Sequence, residues 1–193
     1  MLTGAGVKRA VFLDRDGVIN RLMLDRGPRE TPRTVADVAL LPGVVEGLQQ
    51  LKAAEFLLLV VTNQPNIAKG KTTWEDDAAI TQRIHDLLGS EAALDGVYAC
   101  QHHPDAAQVA VPELLKVCDC RKPAPGLIRQ GLIDFELDLS ACWLVGDADT
   151  DVQAGLSAGI PTNHLIFVGG ECHNATTCVP SLKQAAQYIL TNL

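Results

Sequence analysis

Short apolar runs of strand length alternate along this chain with stretches of helical spacing, and a polar motif closes several of the runs. Residues 10–13 end in Asp14, residues 56–61 end in Thr62-Asn63, and residues 141–145 end in Gly146-Asp147. A fourth run, 97–100, ends at Cys100 and opens a segment rich in sulfur and imidazole. Continuous apolar runs suit strands buried on both faces, and strands separated by helices pair in parallel. The intervening helices are expected at 44–54 (after Pro42-Gly43), 72–88, 126–135, 152–158 and 181–190, with a last strand at 164–168. Thr72 and Glu75 have capping-box spacing, and Gly159 suits a helix C-terminus. The fold class is therefore α/β, a mainly parallel sheet with helices on both faces. In open sheets of this kind ligands sit beyond the carboxyl ends of the strands. Asp14, Thr62, Cys100 and Asp147 are then expected to converge on one edge.

A length of 193 residues suits one domain spanning 1–193, and 47% hydrophobic with 20% charged residues suits a packed core. The net charge of −7 argues against a broad nucleic-acid partner. No run is long and apolar enough to span a bilayer, so no membrane partner is expected. The first nine residues lack signal-peptide order, which makes a cytoplasmic location the expectation. The six cysteines then read as thiols or metal ligands rather than disulfides. The modest size permits a monomer.

Asp14 and Asp16 bracket one residue at a strand end, and Gly17 allows a sharp turn. That spacing aims both carboxylates at one site and turns Arg15 aside. Alone, such a pair is more often a solvated turn or a cap; Asp147 at a second strand end raises the functional reading. Carboxylates gathered together repel and raise one another's pKa, and a hard cation such as Mg2+ resolves the conflict. One ionised Asp attacks phosphorus to form an acyl phosphate, while the other protonates the leaving oxygen and then activates water. Lys122 and Thr62 suit the transferring phosphoryl group. Asp149 is left unassigned, and Asp151 either caps the following helix or orients the metal shell.

Cys100, His102, Cys118 and Cys120 offer three sulfurs and one nitrogen, a closed tetrahedral set for structural Zn2+. The ion would tether a long polar loop, about 100–120. His103 has the wrong spacing for this set and reads as a surface or loop residue. Arg121-Lys122 follows directly, and its place beside a metal-fixed cysteine favours an anion role over a solvated pair. Asn63, Gln64 and Lys69 are within reach of a substrate, whereas Arg29 and Arg33 read as solvated. A second phosphate would nonetheless need some cation from these loops.

Phe12-Leu13-Asp14-Arg15-Asp16-Gly17-Val18-Ile19-Asn20, Thr62-Asn63-Gln64, Cys118-Asp119-Cys120-Arg121-Lys122-Pro123 and Val145-Gly146-Asp147 together resemble the haloacid dehalogenase superfamily. Within it they look most like the heptose 1,7-bisphosphate 7-phosphatases and the related histidinol-phosphate phosphatases. The resemblance implies a Rossmann-like domain without a large cap. It also implies Asp14 as nucleophile, Asp16 as general acid/base, and Thr62 and Lys122 as phosphoryl ligands. Mg2+ would be held by Asp14, Asp147 and the backbone carbonyl of Asp16. Asn63, Gln64, Arg121 and Lys122 would contact a small phosphorylated substrate, a sugar bisphosphate on this resemblance. Residues 21–29 depart from the family pattern and look longer, and Ala148 stands where a basic residue often follows Gly-Asp. A histidinol-phosphate phosphatase is the alternative enzyme, and a silent zinc-loop binding module the alternative class.

Cys142, Trp74 and Trp143 read as packing residues, as do His85 and His164. A second metal site at Cys172, His173 and Cys178 lacks a fourth ligand.

Overall fold

The computed structural model describes residues 8–27, 29–170 and 177–193. Six parallel strands form one sheet: β1 (Ala10–Leu13), β2 (Leu57–Asn63), β3 (Gly96–Cys100), β4 (Trp143–Gly146), β5 (Leu165–Val168) and β6 (Thr177–Val179). The five helices of the described residues are α1 (Val44–Ala53), α2 (Trp74–Leu88), α3 (Gly126–Phe135), α4 (Asp149–Ala158) and α5 (Leu182–Thr191). Strand order is β3-β2-β1-β4-β5-β6. The direction of winding reverses between β1 and β4, so a crevice opens beyond their carboxyl ends. Asp14 and Asp147 follow those two strands. Among the described residues no separate cap domain covers the crevice.

The period of two in each strand sorts its side chains between two cores. Val11, Leu13, Leu58, Val60, Val145 and Ile166 face the layer of α1, α2 and α5. Ala10, Phe12, Leu59, Val61, Leu144 and Leu165 face the layer of α3 and α4. Both sets are essentially fully buried. Full burial of each such Leu, Val or Ile contributes about 1.5–3 kcal/mol, which is why β1, β4 and β5 carry no polar face. Gly155 lets α4 approach closely: a Cβ there would lie 2.6 Å from the Leu165 side chain.

Several local expectations shift. The N-cap of α2 is Thr73, not Thr72; its hydroxyl accepts from the Asp76 N–H at 3.1 Å. One residue of offset moves Trp74 to the first helical position, where it is 54% exposed rather than packed. Trp143 does pack, stacked on His164 with ring centroids 4.0 Å apart. Strand β6 was not foreseen, because three residues at a sheet edge carry little apolar pattern. On it, Cys178 is disulfide-bonded, which corrects the expectation of free thiols or metal ligands throughout. Cys172 and His173 lie outside the described residues.

The segment between β1 and α1 is not a loose loop. Asp37 accepts both guanidinium nitrogens of Arg26 at 2.8 Å. It also accepts the N–H groups of Arg33 (3.0 Å) and Thr34 (3.1 Å) and the Thr34 hydroxyl (3.1 Å). The Arg26 hydrogen bond, with the backbone donors, holds the Asp37 carboxyl well below the usual carboxylate range. A depressed folded-state pKa contributes stability above the unfolded value and loses it as pH falls. Replacing Asp37 with Asn is therefore expected to cost about 1–3 kcal/mol at neutral pH. Urea unfolding checks this, and the gap between variant and parent should narrow below about pH 4.

Candidate active site

Asp14 leaves β1 and is tied to β4 by its N–H, which donates to the Val145 carbonyl at 3.0 Å. The chain then turns through Gly17, whose φ of 93° lies in the left-handed region. A Cβ at Gly17 would meet the Asp147 carboxylate at 1.9 Å, so only glycine fits against the β4 side of the site. Asp16 is buried and held from three directions. Arg15 Nε donates to it at 3.0 Å, Gln64 Nε2 at 2.6 Å and Asn20 Nδ2 at 3.2 Å. Arg15 is turned aside, as its position between two inward carboxylates requires, and also reaches Asp77 of α2 at 3.4 Å.

Lys122 enters from the opposite wall and is 4% exposed. Its Nζ lies 2.9 Å from Asp14 Oδ1 and 2.6 Å from Asp151 Oδ1, and donates to the Val61 carbonyl at 2.7 Å. Burial pulls this ammonium down, but the charges of Asp14 and Asp151 outweigh it and raise its pKa overall. Burial and the Asp14 charge push Asp151 up to about 6. Burial also pushes Asp147 up, opposed by a hydrogen bond from Arg29. Asp151 caps as expected: its other oxygen accepts the N–H groups of Asp147 (3.1 Å) and Ala148 (3.0 Å).

The other residues singled out in the sequence lie around Lys122. Asn63 clamps its backbone, donating to the Lys122 carbonyl and accepting from the Lys122 N–H, both at 3.0 Å. Gln64 bridges Asp16 and Thr62, donating to the Thr62 hydroxyl at 2.8 Å. Thr62 then keeps its own O–H as a donor. Arg121 donates to the His102 carbonyl at 3.0 Å. Asp14, Asp16, Thr62, Asn63, Arg121 and Lys122 line one pocket of about 340 Å³. Gln64 lies behind that wall and does not line it.

Two groups of side chains could hold metal ions. Asp14, Asp147 and Asp151 each place a carboxylate oxygen within 4.8 Å of the others. Asp14 Oδ1 faces the Lys122 ammonium at 2.9 Å, and its remaining acceptor capacity, like the all-oxygen donor set around it, suits a hard cation. Asp16 contributes no side-chain oxygen to this group. The second group is Cys100, His102, Cys118 and Cys120. Its sulfurs stand 3.1–3.6 Å apart, with His102 Nδ1 3.3 Å from Cys120 Sγ. A tetrahedral zinc with Zn–S of about 2.3 Å needs similar edges. His103 is buried rather than exposed: its N–H and carbonyl pair with Leu114 and Lys116 across the loop.

Arg29 is the residue that sequence reasoning missed. Its place in a polar loop reads as solvated, yet its Nη2 donates to Asp147 Oδ1 at 2.8 Å. Nothing local signalled this, because the pair is 118 residues apart.

The HAD-hydrolase-like family model matches residues 119–193. The heptose-1,7-bisphosphate 7-phosphatase of Escherichia coli K12 is 36% identical over 185 residues, covering 95% of this chain and 89% of its own length. The chain belongs to the haloacid dehalogenase-like phosphatases. Its Yersinia pestis relative, also a heptose-1,7-bisphosphate 7-phosphatase, is 37% identical over 83% of this chain and 81% of its own. Among solved structures, the heptose 1,7-bisphosphate phosphatase of B. bronchiseptica, complexed with magnesium and phosphate, superimposes with a TM-score of 0.77. It is 26% identical, covering 97% of this chain and 100% of that one. Phosphate monoester hydrolysis is the chemistry of this family, and the carboxylates and lysine above are suited to it.

Lys122 separates buried carboxylates, so its loss should leave like charges facing one another without water. Lys122→Met is expected to destabilise the metal-free protein by about 3 kcal/mol or more. Urea unfolding in a chelating buffer measures this directly.

Proposed function

We propose that this chain is a Mg2+-dependent phosphatase that removes the 7-phosphate of D-glycero-D-manno-heptose 1,7-bisphosphate by way of an aspartyl phosphate. The observation that carries this reading is the placement of Asp14 and Asp16 on one pocket opposite Lys122, in a chain 36% identical to the E. coli 7-phosphatase. An Asp14 oxygen attacks phosphorus, and the bond from phosphorus to the C7 oxygen breaks. Asp16, oriented by Arg15, Gln64 and Asn20, gives its proton to that oxygen. It then takes a proton from water, which attacks the same phosphorus and releases inorganic phosphate and free Asp14. Lys122 and the Thr62 O–H hold the phosphoryl oxygens throughout. Asp14, Asp147 and the Asp16 carbonyl would hold Mg2+, which would supply charge neutralisation for the phosphoryl group and the gathered carboxylates. Asp151 keeps Lys122 and the 147–148 turn in position. Asn63, Gln64 and Arg121 act on the substrate side mainly through the residues they hold.

Zn2+ on Cys100, His102, Cys118 and Cys120 has a structural role on this reading, since four protein ligands leave no open position. The enzyme works in the cytoplasm as a monomeric single domain, on a small phosphorylated sugar and without nucleic-acid or membrane partners. Its product feeds heptose and surface-polysaccharide synthesis.

Phosphate release from heptose 1,7-bisphosphate, histidinol phosphate and fructose 1,6-bisphosphate, measured side by side with Mg2+, tests the substrate. A strong preference for the heptose is expected, with the β anomer named for the E. coli relative tried first. A preference for histidinol phosphate, or weak turnover of all three, would remove the substrate assignment. Asp14→Asn should lower kcat by about a thousandfold or more while the protein stays folded. Elemental analysis of freshly purified protein is expected to find stoichiometric zinc, and prolonged chelation should lower the thermal midpoint. Protein that is free of zinc and equally stable would contradict the loop assignment.

A further inference from the structure

Arg29 presents a conflict between the metal-free site and the reaction. Its guanidinium holds Asp147 by two contacts, Nη2 to Oδ1 at 2.8 Å and Nη1 to the backbone carbonyl at 3.4 Å. Asp147 is one of the three carboxylates grouped for a divalent ion. A guanidinium and a divalent cation on one carboxylate repel strongly at such distances.

Arg29 is nonetheless well placed. Its φ of 62° is a left-handed conformation that arginine rarely adopts, so the surrounding loop must impose it. The neighbours are fastened: Glu30 accepts from Arg33 and Lys71, and Thr31 accepts from Asn66 at 2.9 Å. The Arg26–Asp37 fork ties the other flank. The side chain is half exposed and lines the catalytic pocket. Lys122, by contrast, sits between Asp14 and Asp151, at the end of the pocket where the transferring phosphoryl group lies on this reading. Residue 148, at the same pocket wall, is alanine and brings no charge. Arg29 is thus a loop cation whose ionic partner, Asp147, is a carboxylate the metal would claim.

We propose that Arg29 and the divalent ion compete for the Asp147 carboxylate, and that metal binding frees the guanidinium to bind the anionic end of the substrate remote from the transferring phosphoryl group. The second half rests on the bisphosphate reading above; the first does not. Arg29 is then a specificity residue that favours bisphosphates over monophosphates, and it prevents the carboxylates from standing unpaired before metal arrives.

Mg2+ titration calorimetry on the full chain without substrate reads the competition. Arg29→Met should bind Mg2+ about two- to fivefold more tightly than the parent, the range that a half-exposed ion pair supplies. Arg29→Lys, which keeps the charge, should return most of the way to the parent value. Unchanged Mg2+ affinity in Arg29→Met would overturn the competition. In turnover, Arg29→Met should raise the ratio of KM for the heptose bisphosphate to KM for p-nitrophenyl phosphate by about tenfold. An unchanged ratio would overturn the substrate role. If the parent fails to hydrolyse the heptose bisphosphate, only the substrate assignment falls, because the Mg2+ titration contains no substrate.

Discussion

The site depends on a buried ammonium. Lys122 sits between Asp14 and Asp151 with almost no access to water, and a lone charge at such depth would be costly. The carboxylates make its burial tolerable, and it makes theirs tolerable in turn. Because each partner comes from a different element, the arrangement also locks the ends of β1, β2 and β4 together. Asp14 follows β1, the Val61 carbonyl lies on β2, and Asp151 sits in the first turn of α4 after β4. A phosphate entering this crevice meets charge already fixed in place, which is where most catalysis of phosphoryl transfer originates.

Lys122 itself is held by the sulfur-rich loop. Cys120 stands two residues before it, and Asn63 grips its backbone on both sides. Gly126, which opens α3, donates its N–H to the Asp119 carbonyl at 2.8 Å, and a Cβ at that glycine would collide with the same carbonyl. The far side of the loop is fastened through the Ala68 carbonyl, which accepts the N–H groups of Ala110 and Val111. The Arg121 guanidinium closes back onto His102. A metal on the four-ligand set would therefore act at a distance, by fixing the segment that delivers Lys122. Such an ion would be structural, unlike a hard cation on the carboxylate group.

How far the sequence was legible follows from the range of each interaction. Strand Ala10–Leu13 and, starting two residues later than the expected 141, strand Trp143–Gly146 were readable because burial on both faces leaves a continuous apolar run. Asp14, Asp16, Thr62 and Asp147 were readable because parallel strands bring their carboxyl ends together. The grouping of Cys100, His102, Cys118 and Cys120 was readable from spacing and donor type. Arg29 was not, since its role depends on a loop conformation and a partner across the fold. Gln64 and Asn63 were expected to face substrate. Asn63 lines the pocket while its amide grips the Lys122 backbone, and Gln64, behind the wall, faces Asp16 and Thr62; only the packed geometry distinguishes a contact residue from one that positions it. Trp74 and His103 exchanged exposure for reasons equally local: one residue of helix offset, and a backbone pairing inside a long loop.

The central claim is that Asp14, not water, first attacks phosphorus. The stereochemical course at phosphorus tests this most directly, using a substrate whose 7-thiophosphate is made chiral with oxygen isotopes. Two successive in-line displacements, first by Asp14 and then by water, predict retention of configuration. Inversion would mean a single direct attack by water and would contradict the account.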